Sequence, residues 1–145
     1  MKYAIAMLAA LVSFTAAAQS SRFDAVQIKV HQVAQGVYML EGEGGNIGVS
    51  VGEDGVLLID DQFAPLTQKI VDAVKTITDK PIRFLLNTHW HLEHTGGNDA
   101  IAARGVQSII AHENTRLWMS TKFYVEWEDR YYPRRAPASR PNKTF

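Results

Sequence analysis

The amino-acid sequence predicts an α/β domain in which helices flank a mixed sheet. Three observations carry that expectation. Residues 26–59 hold four short apolar or alternating runs separated by glycine-bearing turns, the pattern of an antiparallel meander. The fourth run, Val56-Leu57-Leu58-Ile59, is apolar on consecutive residues and suits a strand buried on both faces. From Pro65 onward helical and strand-like segments alternate.

Ahead of these elements, Lys2 is followed by sixteen uncharged, mostly apolar residues, Tyr3 to Ala18, ending in Ala16-Ala17-Ala18 before Gln19-Ser20-Ser21. A basic start, a short apolar stretch and an A-x-A site read as a secretory signal peptide over residues 1–18, which places the protein in the periplasm or outside the cell. A membrane anchor is the alternative, but the run is shorter than the roughly 20 residues that cross the hydrocarbon core. No membrane association is expected once the signal is cleaved.

Residues 19–130 carry the expected domain. Val26, Ile28 and Val30 alternate with Gln27, Lys29 and His31, which is strand periodicity. Gly36 introduces a second strand at Val37-Tyr38-Met39-Leu40, and the glycines at 42, 44 and 45 make a flexible turn into Asn46–Val51. Gly52-Glu53-Asp54-Gly55 is a hairpin turn leading to the buried strand, which stops at Asp60-Asp61. Pro65 suits the first turn of a helix, and Leu66, Ile70, Val74 and Ile77 place one apolar stripe along it. Lys80-Pro81 ends that helix before the strand Ile82–Leu86. Asn87 to Asn98 is a polar loop; Asn98 is placed to cap a short helix through Arg104, with Gly105 as its C-terminal glycine. A strand at Gln107–Ala111 and a helix from Glu113 to about Ser120 follow. Residues 131–145, with three prolines and four basic residues, lack apolar periodicity and read as a truncated connecting segment on the surface.

Composition narrows the function classes. Fifteen Lys and Arg balance fifteen Asp and Glu, so no nucleic acid is expected as partner. A 46% hydrophobic chain with 10% aromatics is not a disordered one. The absence of cysteine excludes disulfides, a thiolate nucleophile and Cys-bound zinc within these residues.

The chemistry concentrates in Asn87-Thr88-His89-Trp90-His91-Leu92-Glu93-His94-Thr95-Gly96-Gly97-Asn98. In extended chain His89 and His91 project to one side and can share a metal ion. If the chain then turns, Glu93 and His94 swing toward a second position. Imidazole and carboxylate are ordinary zinc ligands, and open α/β sheets place their sites at the carboxyl ends of strands. The spacing is not the helical H-E-x-x-H of zinc proteases. His31 and His112, isolated from the cluster, read as structural or solvated.

This run resembles the H-x-H-x-D-H signature of the metallo-β-lactamase superfamily. Gly55–Asp60, Gln35–Tyr38, Gly45-Asn46 and Ala111–Asn114 are similar to the family's pattern in spacing and context, so the resemblance covers roughly residues 26–120. It implies the first half of an αββα sandwich and one or two Zn²⁺ ions, with His89 and His91 at the first position and Glu93 and His94 at the second. It makes Glu93 the catalytic candidate, since the family's carboxylate there helps position the attacking hydroxide. Asp60 would orient the ligands; the other reading of a strand-end Asp is that it caps nearby backbone. The implied function is an exported zinc-dependent hydrolase of a small molecule, opening a β-lactam, thioester or other ester or lactone by metal-bound hydroxide.

Two departures from the family pattern shape that expectation. Glu93 stands where the family has Asp, and its extra methylene moves the carboxylate by more than the ~0.2 Å tolerance of a metal site unless the loop adjusts. The family's later half supplies further ligands, and no histidine follows His112. The sequence therefore reads as the N-terminal half of the domain: a fragment, or a chain completed by a missing second half or a partner chain. An inactive remnant or a metal-binding module needing that partner is the alternative to an enzyme.

Overall fold

The computed structural model describes residues 22–145; the expected signal peptide at 1–18 lies outside them. One seven-stranded mixed sheet organises these residues. Strands β1 (Lys29–Ala34), β2 (Val37–Glu41), β3 (Ile47–Gly52) and β4 (Gly55–Ile59) form the antiparallel meander. Helix α1 (Thr67–Ile77) then carries the chain to β5 (Ile82–Asn87), parallel to β4. Two short helices, α2 (Leu92–Thr95) and α3 (Asn98–Ala102), lead to β6 (Ser108–Ala111), parallel to β5. Helix α4 (Glu113–Ser120) precedes a separate hairpin of β7 (Phe123–Val125) and β8 (Arg130–Tyr132). The chain finally returns as β9 (Lys143–Thr144), parallel to β6 at the sheet edge.

Register explains the core. Val49, Leu58, Leu85 and Ile109 stand side by side across β3 to β6 and are all buried. Leu66, Ile70 and Val74, on the stripe expected of the helix, are buried in the same cluster, and Ile77 packs against it. The helix itself starts later than Pro65, which lies in the 3₁₀ turn Ala64–Leu66. The opposite face aligns Leu57 with Phe84, and Ile59 with Leu86 and Ile110; these stay half-buried because no described element covers them completely.

Three departures from the expected elements have physical causes. The first strand begins at Lys29, not Val26, because the carbonyls of Phe23, Asp24 and Val26 accept hydrogen bonds from the Lys69 ammonium. Val26 and Ile28 still pack on the core, from outside the sheet. Asn98 does not cap α3. Its side chain is fully buried, donating to Asn87 Oδ1 and to the Ser139 carbonyl and accepting from Asn87 Nδ2. Residues 131–145, expected to lack regular structure, finish β8, form the 3₁₀ turn Pro137–Ser139 and supply β9. Elements of two or three residues leave no periodicity to read. Among the described residues no helix is long and apolar enough to cross a membrane.

Asn98 therefore ties the returning tail to the base of the β5 loop. Asn98→Ala leaves the Ser139 carbonyl and both polar ends of Asn87 short of partners, at about 1–3 kcal/mol for each buried group left unsatisfied. Urea unfolding should show that loss, and limited proteolysis should cut faster within 133–145; an unchanged midpoint and cleavage rate would remove Asn98 as the tie.

Candidate metal centre

The parallel strands β4, β5 and β6 end on the same edge of the sheet, and each hands the chain to a polar residue there: Asp60, Thr88 and His112. His112 leaves the site at once, since its Nδ1 accepts from the Asn114 N–H and caps α4. His31, on the exposed edge strand, pairs with Glu41 at 3.0 Å. Of the two solitary histidines, His112 caps a helix and His31 sits in a solvated surface pair.

Asp60 joins β4 to the histidine loop. It is 3% exposed, and its Oδ1 accepts the Thr88 N–H at 2.8 Å. Its Oδ2 accepts the Thr88 hydroxyl at 2.7 Å and His94 Nδ1 at 2.8 Å. Asp60 thus caps backbone and orients a candidate ligand with one carboxylate. These bonds also fix two tautomers. His94 carries its proton on Nδ1, facing Asp60, which leaves the Nε2 lone pair for a ligand role. The single hydroxyl proton of Thr88 is given to Asp60, so the 3.0 Å contact between Thr88 Oγ1 and His89 Nδ1 is donated by His89. His89 likewise keeps Nε2 free. Thr88 belongs to the site, and only its position between a strand end and a histidine could have signalled that.

Backbone strain marks the same spot. Asp60 (φ 65°) and Gln62 (φ 54°) both adopt the left-handed region, which costs non-glycine residues energy and persists where surrounding contacts over-determine it. Asp60 is held by three hydrogen bonds; buried Gln62 is held by its Nε2–H donated to the Gly45 carbonyl. The glycines read from sequence as a flexible turn prove to be close-approach positions. A Cβ on Gly45 would overlap the His94 ring, and one on Gly44 would stand 2.9 Å from Glu93 Cβ.

His89, His91 and Glu93 come together with one ligand atom from each lying within 4.8 Å of the others. The rings of His89 and His91 meet at 4.7 Å, and those of His89 and His94 at 4.1 Å. Glu93 Oε1 lies 3.6 Å from His91 Nδ1. Two atoms bound at about 2.1 Å to one tetrahedral zinc ion stand ~3.4 Å apart, so the trio would have to close by up to about 1.4 Å to hold an ion together. Glu93 here groups with the histidine pair, while His94 stands beside His89. Burial, then the neighbouring His94 and His91, holds the His89 imidazole below its usual range, and the neutral ring is the ligating form.

Around the cluster, a pocket of about 270 Å³ is lined by Phe63, His91, Leu92, Glu93, Glu128, Arg130 and Tyr132. The last three come from the β7–β8 hairpin and were not singled out from the sequence, because nothing local ties that hairpin to the histidine loop. Trp90 packs edge-on against Phe123 and Tyr132 and stacks on Trp118. Beneath the loop, buried Asp61 accepts the Gly97 N–H through Oδ1, while its Oδ2 has no partner among the described residues. Burial pushes its carboxyl well above the usual range, against the opposing Gly97 hydrogen bond.

A family model described as the metallo-beta-lactamase superfamily matches residues 40–144. No curated protein matches the chain. Among solved structures the chain is similar to the metallo-beta-lactamase FIM-1 from Pseudomonas aeruginosa in its mono-zinc form, at 24% identity over 63% of this chain and 45% of that one, with a TM-score of 0.57. It is similar to BJP-1, a subclass B3 metallo-beta-lactamase of Bradyrhizobium japonicum, at 24% identity over 72% of this chain and 40% of that one, with a TM-score of 0.61. It is also similar to a structure described as the first B3 metallo-beta-lactamase with an active site glutamic acid, at 18% identity over 83% of this chain and 48% of that one, with a TM-score of 0.66. The chain spans less than half the length of these three structures, and at these identities the likeness is one of fold.

Two outcomes follow from the geometry. Asp60→Asn removes an acceptor shared by Thr88 and His94; losing such a ligand-orienting partner costs about 10- to 100-fold in metal affinity. Zinc titration against a competing chelator should show that loss, and an unchanged affinity would leave Asp60 a backbone cap only. For Asp61, the folded carboxyl binds its proton above the ordinary Asp value of about 3.9. Stability therefore falls as pH rises from that value through the elevated one and carries a constant penalty above it. The difference in melting temperature, Asp61→Asn minus the unaltered chain, should increase across that window and then level; a flat difference refutes the raised carboxyl.

Proposed function

The chain belongs to the metallo-beta-lactamase superfamily, and from that membership we propose that it acts as an exported zinc-dependent hydrolase of a β-lactam, thioester or other ester or lactone. The observation that carries this reading is the convergence of His89, His91 and Glu93 at the carboxyl end of β5, with a pocket opening beside them. Zinc, when bound, polarises a substrate carbonyl and makes water a usable nucleophile near neutral pH. The protein's own groups do the rest. His89 and His91 present ring nitrogens to the site, Asp60 and Thr88 hold the rings of His94 and His89 in register, and Phe63 and Leu92 add apolar surface to the pocket. Glu93, 40% exposed on its side chain, is open to the pocket and can accept a proton from the attacking water.

Glutamate in place of the family's aspartate is compatible with this role. The solved B3 enzyme described as having an active site glutamic acid is among the structures this chain resembles. Gly44, whose bare backbone lies against Glu93 Cβ, lets the loop that carries this residue approach closely.

A second reading, in which the chain binds metal only when completed by a second half or a partner chain, is favoured by the sheet face of Leu57, Ile59, Phe84, Leu86 and Ile110. That apolar face is half-buried across three adjacent strands, an arrangement that marks an interaction surface.

The two readings diverge in a metal and activity assay on the chain from residue 19. As an enzyme, it retains zinc, hydrolyses a chromogenic β-lactam or a thioester, and stops when a chelator is added. Glu93→Gln should then lower kcat by about 100-fold or more, the contribution of a positioned acid–base group, with zinc content measured in parallel. Failure to retain zinc, with no turnover of any such substrate, supports the partner-dependent module and overturns the autonomous enzyme.

A further inference from the structure

A second cavity, of about 170 Å³, lies between the last turns of α1 and the start of β5, and shares no lining residue with the pocket beside the histidines. β5 runs from Ile82, in the wall of this cavity, to Asn87, just before the histidine loop; at about 3.3 Å per residue its ends stand roughly 17 Å apart. Val71, Val74 and Ile82 supply apolar wall, with Val74 buried and the other two half-buried. Three cationic side chains from separate stretches of chain join them: Lys75 on α1, Lys80 in the turn before β5, and Arg104 beyond α3. Asp79 is the only carboxylate among the described lining residues.

Neutral partners hold two of these cations. Lys80 donates from its ammonium to the Gly52 carbonyl at 2.8 Å. Arg104 donates from Nη1 to the Ala100 carbonyl and from Nη2 to Gln68 Oε1, the latter at 3.0 Å. Among the described residues neither forms an ion pair, and each keeps N–H groups beyond these bonds. Lys75 is different. It stands 3.8 Å from Asp72 and lies in the last turn of α1, where a cation offsets the negative end of the helix. Helix capping and Asp72 therefore account for Lys75, and leave the fixed charges of Lys80 and Arg104 facing the cavity with only Asp79 to oppose them.

We propose that this cavity binds a small amphipathic monoanion, with a short hydrocarbon chain against Val71, Val74 and Ile82 and a carboxylate between Lys80 and Arg104. Burial of the chain supplies affinity, and the two cations supply charge-assisted hydrogen bonds to the carboxylate. Drug-sized ligands fill roughly 300–1,000 Å³, so a cavity of about 170 Å³ suits a chain of a few carbons. The negative end of α1 and the Asp79 carboxylate penalise a second charge on the ligand. This site does not depend on the hydrolase reading, because none of its residues belongs to the metal centre.

The test titrates the metal-free full chain by NMR with hexanoate, hexanamide, acetate and hexyl phosphate. Hexanoate should saturably shift the methyl signals of Val71, Val74 and Ile82 and the amides of Lys80 and Ile82, leaving those of His89 and Glu93 in place. Hexanamide lacks the charge and acetate lacks the chain, so each should bind at least about 5-fold more weakly. Arg104→Gln and Lys80→Gln should each weaken hexanoate by a similar factor, and Arg104→Lys should recover part of the loss; unchanged signals away from the cavity show that the variants are folded. Hexanamide as tight as hexanoate overturns the anion, and acetate as tight overturns the apolar wall. Full affinity in both Gln variants, or shifts confined to the histidine loop, overturns the site itself. Tighter binding of hexyl phosphate overturns the monoanion assignment.

Discussion

The carboxylate of Asp60 is the constraint on which the rest of the site depends. It stands just past the end of β4, in a left-handed conformation that only a strong set of contacts can hold. Those contacts are the backbone and hydroxyl of Thr88 and the ring of His94. Through them one buried acid determines where the chain leaves β5 and which nitrogen of His94 carries the proton. Through the Thr88 hydroxyl it determines the same for His89. The arrangement is economical because a hydroxyl has a single proton: giving it to the carboxylate obliges the histidine to donate in turn. A change at residue 60 therefore acts on two rings at once, although only one touches it.

The sheet makes this possible. Parallel pairing of β4 with β5 puts Ile59 beside Leu86, so the residues that follow each strand emerge next to one another. The loop after β5 then folds back over the glycine turn before β3. His94 and Glu93 come so near Gly45 and Gly44 that neither glycine could carry a side chain without displacing them. The carbonyl of Gly45 is in turn held by Gln62, two residues after Asp60 and strained in the same way. Strain, close approach and buried polarity thus gather at one rim of an otherwise apolar core. Packing there is subordinate to holding side chains in place.

Much of this was legible in the sequence, and the limits of legibility are physical. Alternation, consecutive apolar runs and the stripe of Leu66, Ile70 and Val74 located the meander, the buried strand and the helix, because each buries a face that recurs at a fixed period. The histidine cluster was visible because its ligands are close in sequence as well as in space. What could not be read depends on contacts between distant segments. Lys69 replaces sheet pairing for residues 23–26, Asn98 bonds to Ser139 rather than capping its helix, and Thr88 acts through Asp60. None of these leaves a periodic trace. The glycines at 44 and 45 were visible as glycines, but their purpose is a neighbour nearly fifty residues away.

The β7–β8 hairpin shows what the second kind of contact adds. It pairs only with itself and contributes little to the sheet, yet it supplies Glu128, Arg130 and Tyr132 to the wall facing Glu93. Its seat is aromatic: Trp90, inside the histidine run, packs against Phe123 and Tyr132 from opposite strands of the hairpin. The residue between the two cluster histidines is therefore what holds the outer wall of the pocket to the sheet edge. Ligand position is governed from beneath by Asp60 and pocket shape from above by Trp90. Because Trp90 is two residues at most from each of Thr88, His89 and His91, any shift of the loop that alters the ligands also moves the wall. The arrangement of the candidate ligands and the shape of the pocket are coupled through one short segment of chain.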